Sequence, residues 1–145
     1  MKRIYIIILL AFIFLLSQGV NAQSEKDFKI IINSNNNIDN ISKTKLANIF
    51  IKKVTQWDNG GKISPVDLTS SSSVRKAFTK VVHEKDIEAI KAYWRKQVFS
   101  GTSVPPVEKE SDEAVISYVK ANPGSIGYVS KNANTQGLKV IKLLR

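Results

Sequence analysis

The sequence predicts an α/β fold in which a mixed sheet is flanked by helices. Short runs rich in β-branched residues alternate with segments whose apolar residues recur at spacings of three and four, which predicts strands mixed with helices. The chain has 145 residues, a length that fits one domain. Its hydrophobic fraction of 43% is typical of a packed globule. The predicted order is roughly β-α-β-α-α-α-β-β, and no repeat or linker divides it.

The first elements are a strand, a helix and a second strand. Phe28–Asn33 is an apolar, β-branched run that predicts a strand buried on both faces. Ser42 is a suitable N-cap for the helix that follows. The apolar face of that helix is formed by Leu46, Ile49 and Phe50. Ile63–Leu68 predicts the second strand, with Pro65 weakening its start.

Three helices are predicted in the middle of the chain, each with an apolar stripe. The first follows the hydroxyl run Thr69–Ser73, the second begins at Asp86 and the third begins at Ser111. Their inward residues are predicted to be Val74, Ala77, Phe78, Val81 and Val82, then Ile87, Ile90, Trp94 and Val98, then Val115, Tyr118 and Val119. Ser100–Pro106 is a loop, because paired prolines forbid a helix.

Two strands complete the fold. Asn122–Gly124 ends the last helix, since proline and glycine interrupt helical structure. Ile126–Val129 predicts a short strand, and Leu138–Leu144 alternates as a final strand does.

Residues 1–22 are predicted to be a cleaved secretory signal peptide. Lys2 and Arg3 precede an apolar run from Ile4 to Leu16, and Val20-x-Ala22 is an acceptable cleavage motif. The mature protein is then residues 23–145, a single domain exported to a bacterial periplasm. The alternative is a membrane anchor that is never removed, for which the apolar run is short.

Composition excludes several kinds of site. The chain has no cysteine and a single histidine, His83, which excludes a thiol nucleophile, a zinc knuckle and a multi-histidine metal site. We therefore expect no metal and no cofactor. No carboxylate or exposed serine can be assigned to His83, and no Gly-x-Ser-x-Gly elbow exists. We therefore expect a protein that is not an enzyme, with His83 acting as a partner for a helix C-terminal dipole.

The charge balance indicates anionic partners. The formal net charge is +10, and a positive exported protein attracts anions through its long-range field. Export and the absence of a basic block argue against nucleic acid. The alternative interpretation is a solvated basic surface without a specific ligand.

An anion-binding site is predicted where the second strand ends and a helix begins. Helix N-termini present unpaired N–H groups and favour negative charge. Serine hydroxyls would add donors and an arginine would add charge. The candidate residues are Ser70, Ser71, Ser72, Ser73 and Arg75. The alternative is an ordinary N-cap in a serine-rich loop.

A secondary candidate lies after the next helix. Ser100, Gly101 and Thr102 again offer hydroxyls and a flexible glycine. The alternative, which we favour, is a plain helix C-cap with glycine just past the helix end.

Three segments, in this order, resemble the periplasmic phosphate-binding protein family. Leu46–Trp57 resembles its L-x-x-I-F/Y-x-G-K-I/V-x-x-W segment, and Asn122–Val129 resembles its N-P-G-A-I-G-Y-V signature. Ser72–Phe78 is similar to its S-G-T-R-x-x-F oxyanion loop. Tyr93–Pro106 resembles the corresponding segment in a short, stand-alone branch of the same family. The order of three separate segments is more specific than any one of them.

The resemblance implies a single periplasmic-binding-protein-like lobe. In two-lobed members, the lobes close on a dehydrated phosphate held by helix N-termini, hydroxyls, an arginine and an acidic group. Ser72 matches the loop serine, whereas Ser73 stands at the family's glycine and Val74 at its ligating threonine. The family's arginine and aspartate fall on Leu68 and Ser70.

The resemblance therefore predicts an exported, solute-binding-like protein that binds phosphate or a similar oxyanion and is linked to phosphate uptake. Arg75 matches a position that is often basic. A single lobe leaves one side of the anion in water, so affinity should be weak and salt-dependent. Tight binding would need a second copy or an envelope or transport protein to complete the site. The alternative is a periplasmic interaction module, built on the same lobe, that has lost ligand binding.

Overall fold

A six-stranded mixed sheet organises residues 27–145, the part of the chain that the computed structural model describes. The predicted signal peptide, residues 1–22, lies outside these residues. The strands are β1 (Phe28–Asn33), β2 (Asn40–Ser42), β3 (Ser64–Leu68), β4 (Val107–Lys109), β5 (Ser125–Ser130) and β6 (Leu138–Leu144). Their order across the sheet is β2-β6-β1-β5-β3-β4. The prediction of an α/β fold with a mixed sheet is confirmed.

Four α-helices accompany the sheet in the described part of the chain. They are α1 (Lys43–Phe50), α2 (Ser73–Phe78), α3 (Ile87–Phe99) and α4 (Asp112–Ala121). The helix predicted through Val82 is α-helical only to Phe78 and continues as a π-helical turn, Thr79–His83. Within residues 27–145, none of the helices has the length and apolar character needed to cross a bilayer.

Serine side chains start three of the helices, because an N-cap oxygen satisfies an otherwise unpaired N–H group. Ser42 accepts a hydrogen bond from the Lys45 amide at 3.2 Å. Ser72 caps α2 and Ser111 caps α4 in the same way. The predicted N-caps at Ser42 and Ser111 are therefore confirmed, and these local contacts were readable from the sequence.

The strand β1 lies in the middle of the sheet and is antiparallel to both β5 and β6. Ile31 and Ile32 are completely buried, which confirms the prediction of a strand covered on both faces. On the other side of β5, β3 runs parallel to both β5 and β4. The carboxyl end of β3, at Leu68, leads directly into the serine-rich turn.

The structure differs from the sequence prediction at the sheet edges and at the end of α3. The short strands β2 and β4 were not predicted; each has three residues, too few for a periodicity to show. Val98 was predicted to face inward and this is wrong, because 52% of it is exposed. It lies in the last turn of α3, next to Phe99, which is 96% exposed.

Candidate functional site

The serine-rich turn joins β3 to α2 and is fixed by backbone hydrogen bonds. The Thr69 amide donates to the Lys109 carbonyl on β4 at 3.0 Å, and the Ser72 amide donates to the Thr69 carbonyl at 3.0 Å. The Ser72 hydroxyl oxygen accepts from the Arg75 amide at 3.3 Å. The turn is therefore an ordered structure, in which the Ser71 hydroxyl also lies 3.4 Å from the Thr69 hydroxyl.

A cavity of about 640 Å³ opens beside this turn. Ser70 and Ser71 lie on one side of it, and the start of α3 lies on the other. Its charged lining residues are Lys76, Lys80, Lys85, Asp86 and Glu88. Three ammonium groups face two carboxylates, and Glu88 also pairs with Lys91 at 3.1 Å. The cavity therefore carries an excess of positive charge next to hydroxyl donors.

The predicted serines occupy three different positions around this cavity. Ser70 and Ser71 line it. Ser72 is half-buried as the N-cap of α2, and Ser73 is exposed at the first helical position. The turn thus brings two of the four serines to the cavity.

Arg75 points into the protein rather than toward solvent. It is buried, and its Nη1 atom donates to the Leu68 carbonyl and to Glu108 Oε1, both at 2.5 Å. Its Nη2 atom lies 3.2 Å from Asp67 Oδ2. The positive charge that the sequence assigned to the anion site is instead compensated by two carboxylates of the protein itself, the buried Asp67 and Glu108, whose side chain is 44% exposed.

Asp67 is the centre of this buried network. It accepts hydrogen bonds from the Tyr128 hydroxyl and, at 3.1 Å, from the Leu68 amide. Burial raises the pKa of Asp67 to about 6, although Arg75 and Tyr128 act in the opposite direction. The Tyr128 ring stacks on Phe78 of α2 with 3.8 Å between ring centroids. The network therefore ties α2, β3, β4 and β5 together directly behind the serine-rich turn.

Sequence reasoning missed the three lysines of the cavity. Lys76 and Lys80 are four residues apart, which places them on one face where the α-helix passes into the π-helical turn. Lys85 follows that turn. The spacing of four after a serine-rich turn was visible in the sequence, but the approach of the start of α3 was not.

The secondary candidate forms a helix C-cap. The Ser100 hydroxyl donates to the Gln97 carbonyl at 3.1 Å and lies 2.8 Å from the Thr102 hydroxyl. Gly101 has a φ of 68°, a left-handed conformation that glycine adopts without strain. Ser100, Gly101 and Thr102 are not among the residues that line the cavity beside the serine-rich turn.

His83 packs against the Phe78 ring, with 6.0 Å between ring centroids. Burial lowers its pKa to about 4, and the charges of Arg75 and Lys85 act in the same direction. The interpretation of His83 as a cationic partner for a helix dipole is therefore wrong, because the ring is uncharged near pH 7.

An exposed apolar patch surrounds the end of α3. Phe99 is 96% exposed, and Val98 and Val104 are more than half exposed. A second cavity of about 570 Å³ adjoins the patch and is lined by Trp94, Arg95 and Pro105, among others. Contiguous apolar surface of this kind is typical of a site that contacts another molecule, whereas single exposed apolar residues are common on any protein.

One family model matches the chain over most of its length. The family model of the PBP superfamily domain matches residues 26–143. The phosphate-binding protein PstS of Xylella fastidiosa (strain Temecula1) is 32% identical over 116 residues, covering 64% of this chain and 30% of that protein. The chain therefore spans less than a third of that relative.

Two solved structures share the fold over most of this chain. An ABC-type phosphate transport receptor from Vibrio cholerae superposes with a TM-score of 0.65 at 18% identity, covering 81% of this chain and 46% of that one. PstS from Borrelia burgdorferi superposes with a TM-score of 0.62 at 23% identity, covering 81% and 47%. With the family model matching nearly all of the described residues, the chain belongs to the PBP superfamily, in which it resembles the phosphate-binding proteins.

Proposed function

We propose that this protein binds phosphate or a similar oxyanion in the cavity beside the serine-rich turn and performs no bond chemistry. The observation that carries the proposal is the convergence of Lys76, Lys80 and Lys85 with the hydroxyls of Ser70 and Ser71 on one cavity. The names of the relatives, which are phosphate-binding proteins, support the same ligand class. A role in phosphate uptake follows as part of the proposal.

Each group has a distinct part in the proposed site. The ammonium groups attract the anion and act as hydrogen-bond donors, and Ser70 and Ser71 orient it through their hydroxyls. Ser72 and Ser73 place the start of α2 at the edge of the site. Arg75 acts as a positioning residue, since it holds the Leu68 carbonyl at the base of the turn.

The openness of the site limits its affinity. The three lysines are exposed, so their charges are screened by salt and each contributes little. Binding by one copy should therefore be weak, and a second copy or an envelope or transport protein would complete the site. We further propose that residues 1–22 direct export to the periplasm and that residues 23–145 form the mature domain.

Titration calorimetry with inorganic phosphate at low ionic strength tests the proposal. The double substitution Lys76→Ala and Lys80→Ala is expected to weaken phosphate binding about tenfold. Adding Ser70→Ala and Ser71→Ala to that variant should weaken binding further. The double variant Lys131→Ala, Lys142→Ala removes the same charge from two exposed positions that do not line the cavity and should change little. An absence of heat with both phosphate and sulfate would contradict the proposal, as would an equal effect of this control variant.

A second candidate function is a docking module without a small ligand. Two observations favour it: the charge of Arg75 is already paired with Asp67 and Glu108, and Phe99 is almost wholly exposed. The partner would be another envelope protein that covers the apolar patch at Val98, Phe99 and Val104.

Capture from a periplasmic extract separates this candidate from the first. Phe99→Ser is expected to abolish retention of a partner without lowering the melting temperature, because the side chain makes little contact with the rest of the fold. Val140→Ser, on β6 and outside the patch, is the control, although Val140 is only 47% exposed against 96% for Phe99. Retention lost equally in both variants would count against a specific patch.

A further inference from the structure

A smaller cavity lies at the opposite end of β3 from the serine-rich turn. Its volume is about 320 Å³, at the lower limit for pockets that hold small organic ligands. The residues that matter for the argument are Lys52, Thr55, Lys62, Ser64, Val107 and Tyr118. Because β3 begins at Ser64 and the serine-rich turn follows Leu68, the two cavities are separate sites.

Two lysines face this cavity and none of its lining residues is acidic. The Lys52 Nζ atom donates to the Pro105 carbonyl at 3.3 Å, a partner without charge. Burial lowers the pKa of Lys52, and the charge of Lys62 lowers it further, as expected for two cations close together. A third ammonium, from Lys109, lies 5.4 Å from the centre of the Tyr118 ring. An anion between these cations would relieve their repulsion.

The remaining walls combine hydroxyls with apolar surface. Thr55 and Ser64 supply hydrogen-bonding groups beside the lysines. Val107 is 45% exposed and the Tyr118 ring is half-buried, so both present apolar surface to a ligand. Pockets that bind small organic molecules have this composition, in which apolar walls carry a few convergent polar groups.

The backbone of Lys52 is fixed by the end of α1. Its φ is 56°, a left-handed conformation that is common just after a helix C-terminus and that glycine adopts at a lower cost in free energy. The Lys53 and Val54 amides both donate to the Asn48 carbonyl there, at 2.8 and 3.1 Å. Lys52 therefore belongs to an ordered helix end, and its side chain lines the cavity together with Lys62.

We propose that this cavity binds a small phosphomonoester whose phosphate lies between Lys52 and Lys62 and whose apolar body packs on Val107 and Tyr118. Two cations suit a dianion better than a single carboxylate. The apolar wall distinguishes such a ligand from inorganic phosphate, the ligand proposed for the serine-lined cavity. The two sites share no lining residue, so each proposal can be contradicted without affecting the other.

Phenyl phosphate is the probe for this site, measured by titration calorimetry at low ionic strength beside inorganic phosphate and phenol. We expect phenyl phosphate to bind more tightly than inorganic phosphate, and phenol to give no heat. Lys62→Ala and Lys52→Gly should each weaken phenyl phosphate about tenfold or more, since each removes a charge-assisted hydrogen bond. Lys131→Ala matches the charge change and should leave the affinity unchanged.

The Lys52→Gly variant makes the test resistant to misfolding. Glycine relieves the left-handed strain, so the melting temperature should stay the same or rise while binding is lost. The joint substitution of Ser70 and Ser71 by alanine should leave phenyl phosphate affinity unchanged, even if it abolishes binding at the other cavity. The proposal is overturned if Lys131→Ala weakens binding as much as Lys62→Ala, or if the serine variant does so.

Discussion

Gly124→Ala is expected to destabilise the fold by about 3 kcal/mol or more. A Cβ atom at this position would overlap the Lys62 carbonyl oxygen, which is backbone and cannot rotate away. The surrounding chain is also fixed: the Ser64 amide donates to the Gly124 carbonyl at 3.1 Å, and the Trp57 indole donates to the same oxygen at 3.2 Å. Any shift that accommodates the methyl group must therefore break hydrogen bonds at the start of β3.

Urea denaturation measures this effect, and two other glycines calibrate it. Gly127→Ala would place a Cβ 2.8 Å from a methyl of Val66 and 2.9 Å from a methyl of Val115. These side chains can shift, so we expect a loss of about 1–3 kcal/mol. Gly61→Ala meets the flexible Asn59 side chain at 3.2 Å and makes an ordinary contact with the Trp57 ring at 3.9 Å, so it should be nearly neutral. The close approach at Lys62 would be contradicted if Gly124→Ala unfolded at the same urea concentration as Gly61→Ala.

Arg75→Met is expected to cost about 3–5 kcal/mol, because removing one partner of a buried ion pair leaves the other charge uncompensated. Both Arg75 and Asp67 are buried, with side chains 5% and 9% exposed. The double variant Asp67→Asn, Arg75→Met removes both charges and keeps an oxygen that can accept from Tyr128. We expect it to recover a large part of the stability lost in Arg75→Met.

The pH dependence identifies the cause of this loss. The pKa of Asp67 is already raised to about 6 by burial, and removal of Arg75 should raise it further. A carboxyl group whose pKa is raised in the folded state stabilises the fold at pH values below its unfolded-state pKa. That contribution is lost as the pH rises through the folded-state pKa. The cost of Arg75→Met should therefore be larger at pH 8 than at pH 5.

His83 also affects the stability measured at acid pH, since the charge of Arg75 lowers the pKa of His83 as well. Repeating the measurement in a His83→Gln background removes that contribution. A cost that does not change with pH in that background would indicate lost packing instead of an uncompensated carboxylate.

Local patterns in the sequence were sufficient for most of the secondary structure. Ser42 and Ser111 cap helices through hydrogen bonds that span three residues, so nearby residues determine them. The buried strand at Phe28–Asn33 follows from an unbroken apolar run. The same holds for the serine-rich turn, whose position between β3 and α2 was predicted correctly.

The partners of charged side chains depend on how distant segments meet. Arg75 and Glu108 are 33 residues apart, and they meet because β3 and β4 are parallel with Asp67 opposite Glu108. The strand β4 has only three residues and left no pattern from which this register could be inferred. Consequently the sequence indicated an arginine at the anion site, whereas the fold directs it inward and brings lysines to the cavity instead. Hydrogen bonds near in sequence and apolar periodicity are encoded locally, but ion pairs and cavities form only when the order of the strands is set.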